Sequence, residues 1–263
     1  AYAGENATFR DAARSLSGVR DAQANIETFD ALAERFGTAF DAGRFAPVRE
    51  RLVERRRAVH ERDDLVDAQL KIVRETLAKP RERARRWSLE ERGPAAFRDG
   101  VKKTLKRGRK AFASAVDEPS TARLHELRKR AKDHWYHVRL LREVWPGLMA
   151  ARADELDRLG DLLGDDHDLA VLGEALERMT GAGLDPDAAR DLGALAGRRR
   201  AELQAAGLAL AGRAFAGSPG KEADRLVELW RAFRERPDVE DPGEAAAPPV
   251  PAGAKTEIER KFV

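Results

Sequence analysis

The chain contains no cysteine in its 263 residues, which excludes disulfides and thiolate metal sites. Aromatic residues are 6% of the total, too few for the rows of exposed rings on which single-stranded nucleic acid stacks. No run of about 18 apolar residues exists to span a bilayer, and residues 1–20 lack the apolar core of a signal peptide. Runs of β-branched residues are missing before the extreme C-terminus, so little is present to build a buried strand. There is no phosphate-binding glycine loop and no pairing of a nucleophile with a base, so no enzyme is expected from this segment alone. A one-sided charge is absent as well. The 49 basic and 46 acidic residues leave a net charge of +3, so any anionic partner must be chosen by where the cations sit.

Ala, Leu, Arg and Glu dominate instead, which favours helix throughout and an all-α fold. The chain is organised around residues 124–145, LHELRKRAKDHWYHVRLLREVW. Leu124, Leu127, Ala131, Trp135, Val138, Leu141 and Trp145 recur at steps of three and four, giving one buried stripe on a helix. His125, Arg128, Lys129, Lys132 and Tyr136 fall on an adjoining face at helical spacing, while Glu126 and Asp133 are read as projecting elsewhere. Such a face is suited to phosphate, since Arg supplies forked donors and Lys a mobile point charge at each turn. A second basic concentration, Lys102, Lys103, Lys106, Arg107, Arg109 and Lys110, meets no acid between Asp99 and Asp117. His60, His134 and His137 are read as ordinary exposed helix residues. Trp135, Tyr136, Trp145 and Trp230 are read as core and bundle-edge packing, and Arg152 and Arg178 as lying away from the basic face.

Helices are expected over residues 3–36, with an irregularity at Ser17-Gly18, and 44–78, ended by Pro80. Others are expected over 94–115, 151–179, 186–215 and 221–234. Two sequence matches suggest an internal duplication. Leu16-Ser17-Gly18-Val19-Arg20-Asp21 aligns with Leu163-Gly164-Asp165-Asp166-His167-Asp168, and Arg55-Arg56-Arg57-Ala58 with Arg198-Arg199-Arg200-Ala201. The second copy starts with the His125 helix. The equivalent helix of the first copy is expected before residue 1, where it would cover Phe9, Leu16 and Ile26.

The run His125-x-x-Arg128-Lys129-x-x-Lys132, the later Leu-Gly-x-x-His167-Asp168 and the duplication resemble a CHAD domain, the α-helical domain named for its histidines. The resemblance implies two pseudo-repeated antiparallel four-helix bundles, the first lacking its first helix. It also implies a basic groove that binds inorganic polyphosphate without catalysis and without a cofactor. Carried over by position, the phosphate-facing residues are His125, Arg128, Lys129 and Lys132. Arg20, Arg55, His167 and Arg199 follow on inner helices, with Lys103, Lys106, Arg107 and Lys110. The expected organisation is a first repeat over 1–117, a second over 118–237 and an acidic Pro/Ala-rich linker over 238–254. Residues 255–263 resemble the first strand of a CYTH (triphosphate tunnel) domain, because Glu257, Glu259 and Lys261 alternate onto one face. That implies a CYTH partner in cis and a chain continuing beyond both ends. The alternatives are an accessory module of a CYTH triphosphatase or adenylate-cyclase-like enzyme, and a nucleic-acid-binding helical protein. No membrane partner is expected, and the location is expected to be cytoplasmic, in association with polyphosphate granules.

Overall fold

The structure is a computed structural model that describes residues 2–15, 17–60, 63–88 and 93–235. Among the described residues it is all-α, with no strand. The helices are α1 (Tyr2–Ser15), α2 (Ser17–Phe36), α3 (Ala42–His60), α4 (Asp63–Arg85), α5 (Ala95–Asp117), α6 (Thr121–Leu140), α7 (Pro146–Gly181), α8 (Pro186–Ala214) and α9 (Pro219–Arg234). Residues 255–263, read as a CYTH strand, lie outside the described set, as does the linker.

Local chemistry sets most boundaries. The Ser120 hydroxyl accepts from the Arg123 amide at 3.3 Å and opens α6. Pro146, Pro186 and Pro219 stand in the first turns of α7, α8 and α9, where a missing N–H costs nothing. The central helix stops at Leu140, short of the expected Trp145, because the chain turns through a 3₁₀ segment, Arg142–Val144, before Pro146. Pro80 does not end its helix. It lies inside α4, which continues to Arg85 because α4 stays packed on α1, where the Arg83 guanidinium grips the carboxylate of the buried Glu5, one bond at 2.9 Å.

Two apolar cores form, and one helical hairpin serves both. Helices α7 and α8 each contribute to both. The first core joins α5, α6, the first half of α7, the end of α8 and α9 around Leu105, Leu127, Leu159 and Phe215. The second joins α2 and α3 to the second half of α7 and the first half of α8, around Phe29, Val48, Leu172 and Leu192. Leu162 touches both. Helix α7 is 36 residues, about 54 Å long at 1.5 Å per residue. Its middle therefore forms a waist between the cores.

Some apolar residues end elsewhere than the periodicity suggests. Tyr136 is 58% exposed and Trp145 48%, so neither is a core residue, although Trp135 does pack against the first core. Phe9 is partly uncovered at 37%, whereas Ile26 of α2 is buried at 5% in the second core; Leu16 lies outside the described residues.

One close approach makes a test of the first core. A Cβ built on Gly108 of α5 meets the Phe215 ring at 2.1 Å, and a ring wedged between α5 and α8 cannot retreat. Gly108→Ala is expected to cost about 1–3 kcal/mol by overpacking. Gly100→Ala on the same helix meets nothing within 4 Å and should stabilise by up to about 1 kcal/mol through helix propensity. Urea unfolding of the two variants checks the opposite signs.

Candidate functional site: a cationic strip on the waist

Helices α6 and α7 are antiparallel, and at the waist they fit together by a register of small against large. On α7, Gly160, Gly164 and His167 stand at i, i+4 and i+7 on the side facing α6. Opposite them on α6 come Lys132, Arg128 and His125. The Lys132 Cε lies 4.0 Å from the Cβ position of Gly160, and the Arg128 guanidinium 3.1 Å from that of Gly164. The His125 and His167 rings meet at 5.1 Å, tilted by 41°. Arg128 Nε donates to the Gly160 carbonyl at 3.1 Å, which fixes its plane along the helix and leaves its other N–H groups free of that bond. Without side chains on the two glycines, the long cations lie flat on α7 in a row. Sequence reasoning quoted Gly164 only within the Leu-Gly-x-x-His167-Asp168 run and passed over Gly160; the signal for a close helix approach was their four-residue spacing on a leucine-rich helix.

The electrostatics of the row are set by burial and by like charge. The His125 imidazole is pushed below its ordinary range, first by burial and then by His167, Lys129 and Arg128. Beside the row, one residue further round α7, runs an acidic stripe of Asp161, Asp165 and Asp168. The Asp165 carboxyl is pushed up by burial and by those two neighbours, against the pull of Arg199 and Arg128. The cationic strip is thus narrow, with an acidic border on its α7 side.

The other residues expected at the site are distributed as follows. Lys129 turns to Glu126, 2.7 Å away, so Glu126 does not project elsewhere but neutralises it. Asp133 likewise pairs with Arg130 at 2.9 Å. Arg199 bonds Glu202 at 3.0 Å and lines a cleft of about 220 Å³ with Glu27, Asp165 and Asp168, an acidic setting unfavourable to phosphate. Arg55 is exposed on α3, which packs chiefly on α2 and α8. The side chain of Arg20 lies outside the described set. Lys103, Lys106, Arg107 and Lys110 share the exposed face of α5, opposite its buried Val101, Leu105, Gly108 and Ala115, and so form a separate band. The larger cleft, about 570 Å³ between α2 and α3, carries Asp30, Glu50 and Glu54 against Arg49 and Arg57, which gives it no bias toward an anion.

Two buried polar groups hold the strip in place. Asp166, 1% exposed, accepts from Arg200 Nε at 3.0 Å and Gln204 Nε2 at 2.8 Å, while Arg200 also donates to Thr121 at the start of α6. Helices α6, α7 and α8 meet there, one residue from His167. His134, read from sequence as exposed, is fully buried at 0%. Its Nε2 accepts from Arg152 Nε at 3.2 Å, and Arg152 also bonds Glu222 of α9. Arg152 is therefore a structural tie between α6, α7 and α9.

Burial, then Arg152 and His137, hold His134 neutral and push its pKa down to about 3, against 6.5 when free. The unfolded chain binds the proton between those values, so this contribution to stability is complete above pH 6.5 and is lost as pH falls toward 3. By pH 5 about 2 kcal/mol should be gone. Urea unfolding at pH 7.5 and pH 5 measures it, and His134→Gln should show a loss smaller by about that amount.

Among the described residues no group of three His, Asp or Glu is placed to hold a metal ion, and no helix is long and apolar enough to cross a membrane. What fold and site define together is an all-α bundle protein with histidines and cations aligned along one inter-helix seam. A comparison with known families matches residues 1–177 of the 263 to the CHAD domain, and the chain belongs to that family. Neither a curated protein nor a solved structure matches the chain.

Proposed function

We propose that the chain binds inorganic polyphosphate along the α6–α7 strip, without catalysing a reaction on it. The observation that carries this reading is the row of Arg128 and Lys132 laid over Gly164 and Gly160, with His125 and His167 completing it. Successive cations are about one helical turn apart, and a linear polyanion has no base edges to read. It calls for repeated charge rather than a shaped pocket. Membership of the CHAD domain family, which is associated with polyphosphate binding, supports the same reading. The refined site is His125, Arg128, Lys132 and His167, with Lys129 a neutralised neighbour at its rim. Contact through many screened charges makes affinity fall steadily as salt rises, by analogy with counterion release from nucleic acid.

The test uses labelled polyphosphate titrated over a salt series, with duplex DNA at equal phosphate concentration as competitor. Polyphosphate is expected to win; equal competition would point to a general anion surface. A second arm uses Gly164→Ala. The added methyl group meets the Arg128 guanidinium at 3.1 Å, so the guanidinium must give by a few tenths of an ångström, while helix propensity gains up to about 1 kcal/mol. Affinity should fall by less than tenfold, under about 1.4 kcal/mol. A rise in affinity would mean that the seat over Gly164 does not hold Arg128 for the polymer.

A further inference from the structure

Steps of four residues on a helix of 3.6 residues per turn advance by about 40° each, so the row Arg128, Lys132, Tyr136 drifts from α7 toward solvent as it runs along α6. Exposure follows the drift. Arg128 and Lys132 lie over the glycines of α7, whereas Tyr136 is 58% exposed and Leu140, one turn further, 80% exposed. A lone exposed aromatic on a helix is ordinary and needs no partner. Tyr136 is not alone. Its ring meets the Trp135 ring at 5.1 Å, tilted by 72°, and Trp135 packs on the first core while the Arg139 guanidinium lies over it, 4.4 Å from the ring centroid.

This cluster can hold something flat. An edge-on contact covers at most one face of the Tyr136 ring, and its exposure leaves the other open. Trp135, seated against the core, steadies the ring, so less freedom is lost when a ligand settles on it. Nucleobases stack on such rings because every base has a π-face, and a guanidinium beside them adds a cation–π contribution. An inorganic phosphate chain has no face to stack, so the polymer makes no use of Tyr136 and Arg139. Spacing narrows the ligand further. Lys132 stands one turn, about 6 Å, from Tyr136 along the axis and Arg128 two turns, about 12 Å. A base on the ring, joined through a sugar to a single phosphate, reaches the nearer cation; a run of phosphates is needed to reach the farther one.

We propose that this end of the strip binds a nucleoside triphosphate, with its base stacked on Tyr136 beside Arg139 and its phosphates running over Lys132 to Arg128. This rests on the reading of the strip as a phosphate site and adds to it a choice of end group. A polymer enters the row anywhere along its length, whereas a nucleotide is set in one register by its base. Adenosine mono-, di- and triphosphate should therefore bind with rising affinity, as the phosphates extend from the nearer cation to the farther.

Calorimetric titration of the full chain with ATP and with inorganic tripolyphosphate, both at low salt and without divalent cations, tests it. Tyr136→Ala removes an exposed ring and should lower ATP affinity at least about fivefold, the lower end for a base stacked on an aromatic side chain. Tripolyphosphate affinity should stay unchanged. Tyr136→Phe should keep both affinities, and Arg128→Gln should weaken both ligands alike. The chain has two tyrosines, Tyr2 and Tyr136, which makes a direct readout simple. ATP should shift the Tyr136 ring resonances through the ring current of its base, and tripolyphosphate should leave them nearly in place. Equal losses for the two ligands in Tyr136→Ala, or no loss for ATP, would overturn the proposal. So would Tyr136 resonances that ATP does not move. Those outcomes leave the polyphosphate reading standing, whereas failure of both tripolyphosphate and long-chain polyphosphate to bind the parent would sink the strip itself and this proposal with it.

Discussion

Replacing Arg128 and Lys132 together by Glu should lower polyphosphate affinity by roughly 100-fold or more and flatten its salt dependence. A hydrogen bond to a charged group contributes about 1.5–3 kcal/mol, two are lost together, and the new carboxylates repel the polymer. They also extend the acidic stripe of Asp161, Asp165 and Asp168 across the seam, so nothing nearby compensates. Arg128 also bonds the Gly160 carbonyl at 3.1 Å, so thermal unfolding must accompany the titration of this variant and of each single reversal. Reversal at Arg178, paired with Glu174 on the exposed side of α7, should change affinity little. Equal losses at Arg178 and Lys132 would mean that a diffuse basic surface holds the polymer. His125 is pushed down by burial and its cationic neighbours, so the tightening its charge brings should set in only on acidification below its ordinary range.

Arg200→Met should destabilise the fold by about 3–5 kcal/mol, because it leaves the Asp166 carboxylate in a site 1% exposed with Gln204 as its remaining donor. The effect reaches beyond one ion pair. Arg200 also donates to Thr121 at 3.1 Å, so the start of α6 loosens along with the α7–α8 contact, one turn from His125. Asp166→Leu/Arg200→Met, which removes both charges, should recover most of the loss, since apolar replacement of a buried pair is often neutral. Chemical denaturation of the two variants and the parent checks this. A double variant as unstable as Arg200→Met would show that shape, rather than desolvated charge, makes Asp166 irreplaceable.

The α6 face was legible because helical periodicity is local. Leu124, Leu127, Ala131 and Val138 are all buried, and His125, Arg128 and Lys132 fall beside them as the spacing requires. Pairing between helices was not legible. Lys129 and Arg128 are neighbours in sequence with the same charge, yet one is neutralised by Glu126 on its own helix and the other lies over a glycine of α7. His134 and His125 carry the same side chain on the same helix, and they differ because Arg152 and Phe215 lie against His134. The aromatic stripe misled at its end, since Trp145 follows a 3₁₀ turn that breaks the period. Pro80 misled for another reason: one missing hydrogen bond does not end a helix still packed on its neighbour.

Composition and periodicity by themselves determined that this protein is built of helices, that its cations are concentrated in α5 and α6, and that no thiol or disulfide plays a part in it. Those properties depend on residue type and on spacing within a turn or two, which any isolated stretch carries with it. The tertiary structure decided that α7 and α8 serve two cores at once, and that two glycines at the waist make room for Arg128 and Lys132. It also decided that the cations of α5 stand on its exposed face while Arg128 and Lys132 of α6 lie against α7. Each of these depends on residues far apart in sequence meeting across a helix interface, where shape and desolvation rather than local spacing set the outcome.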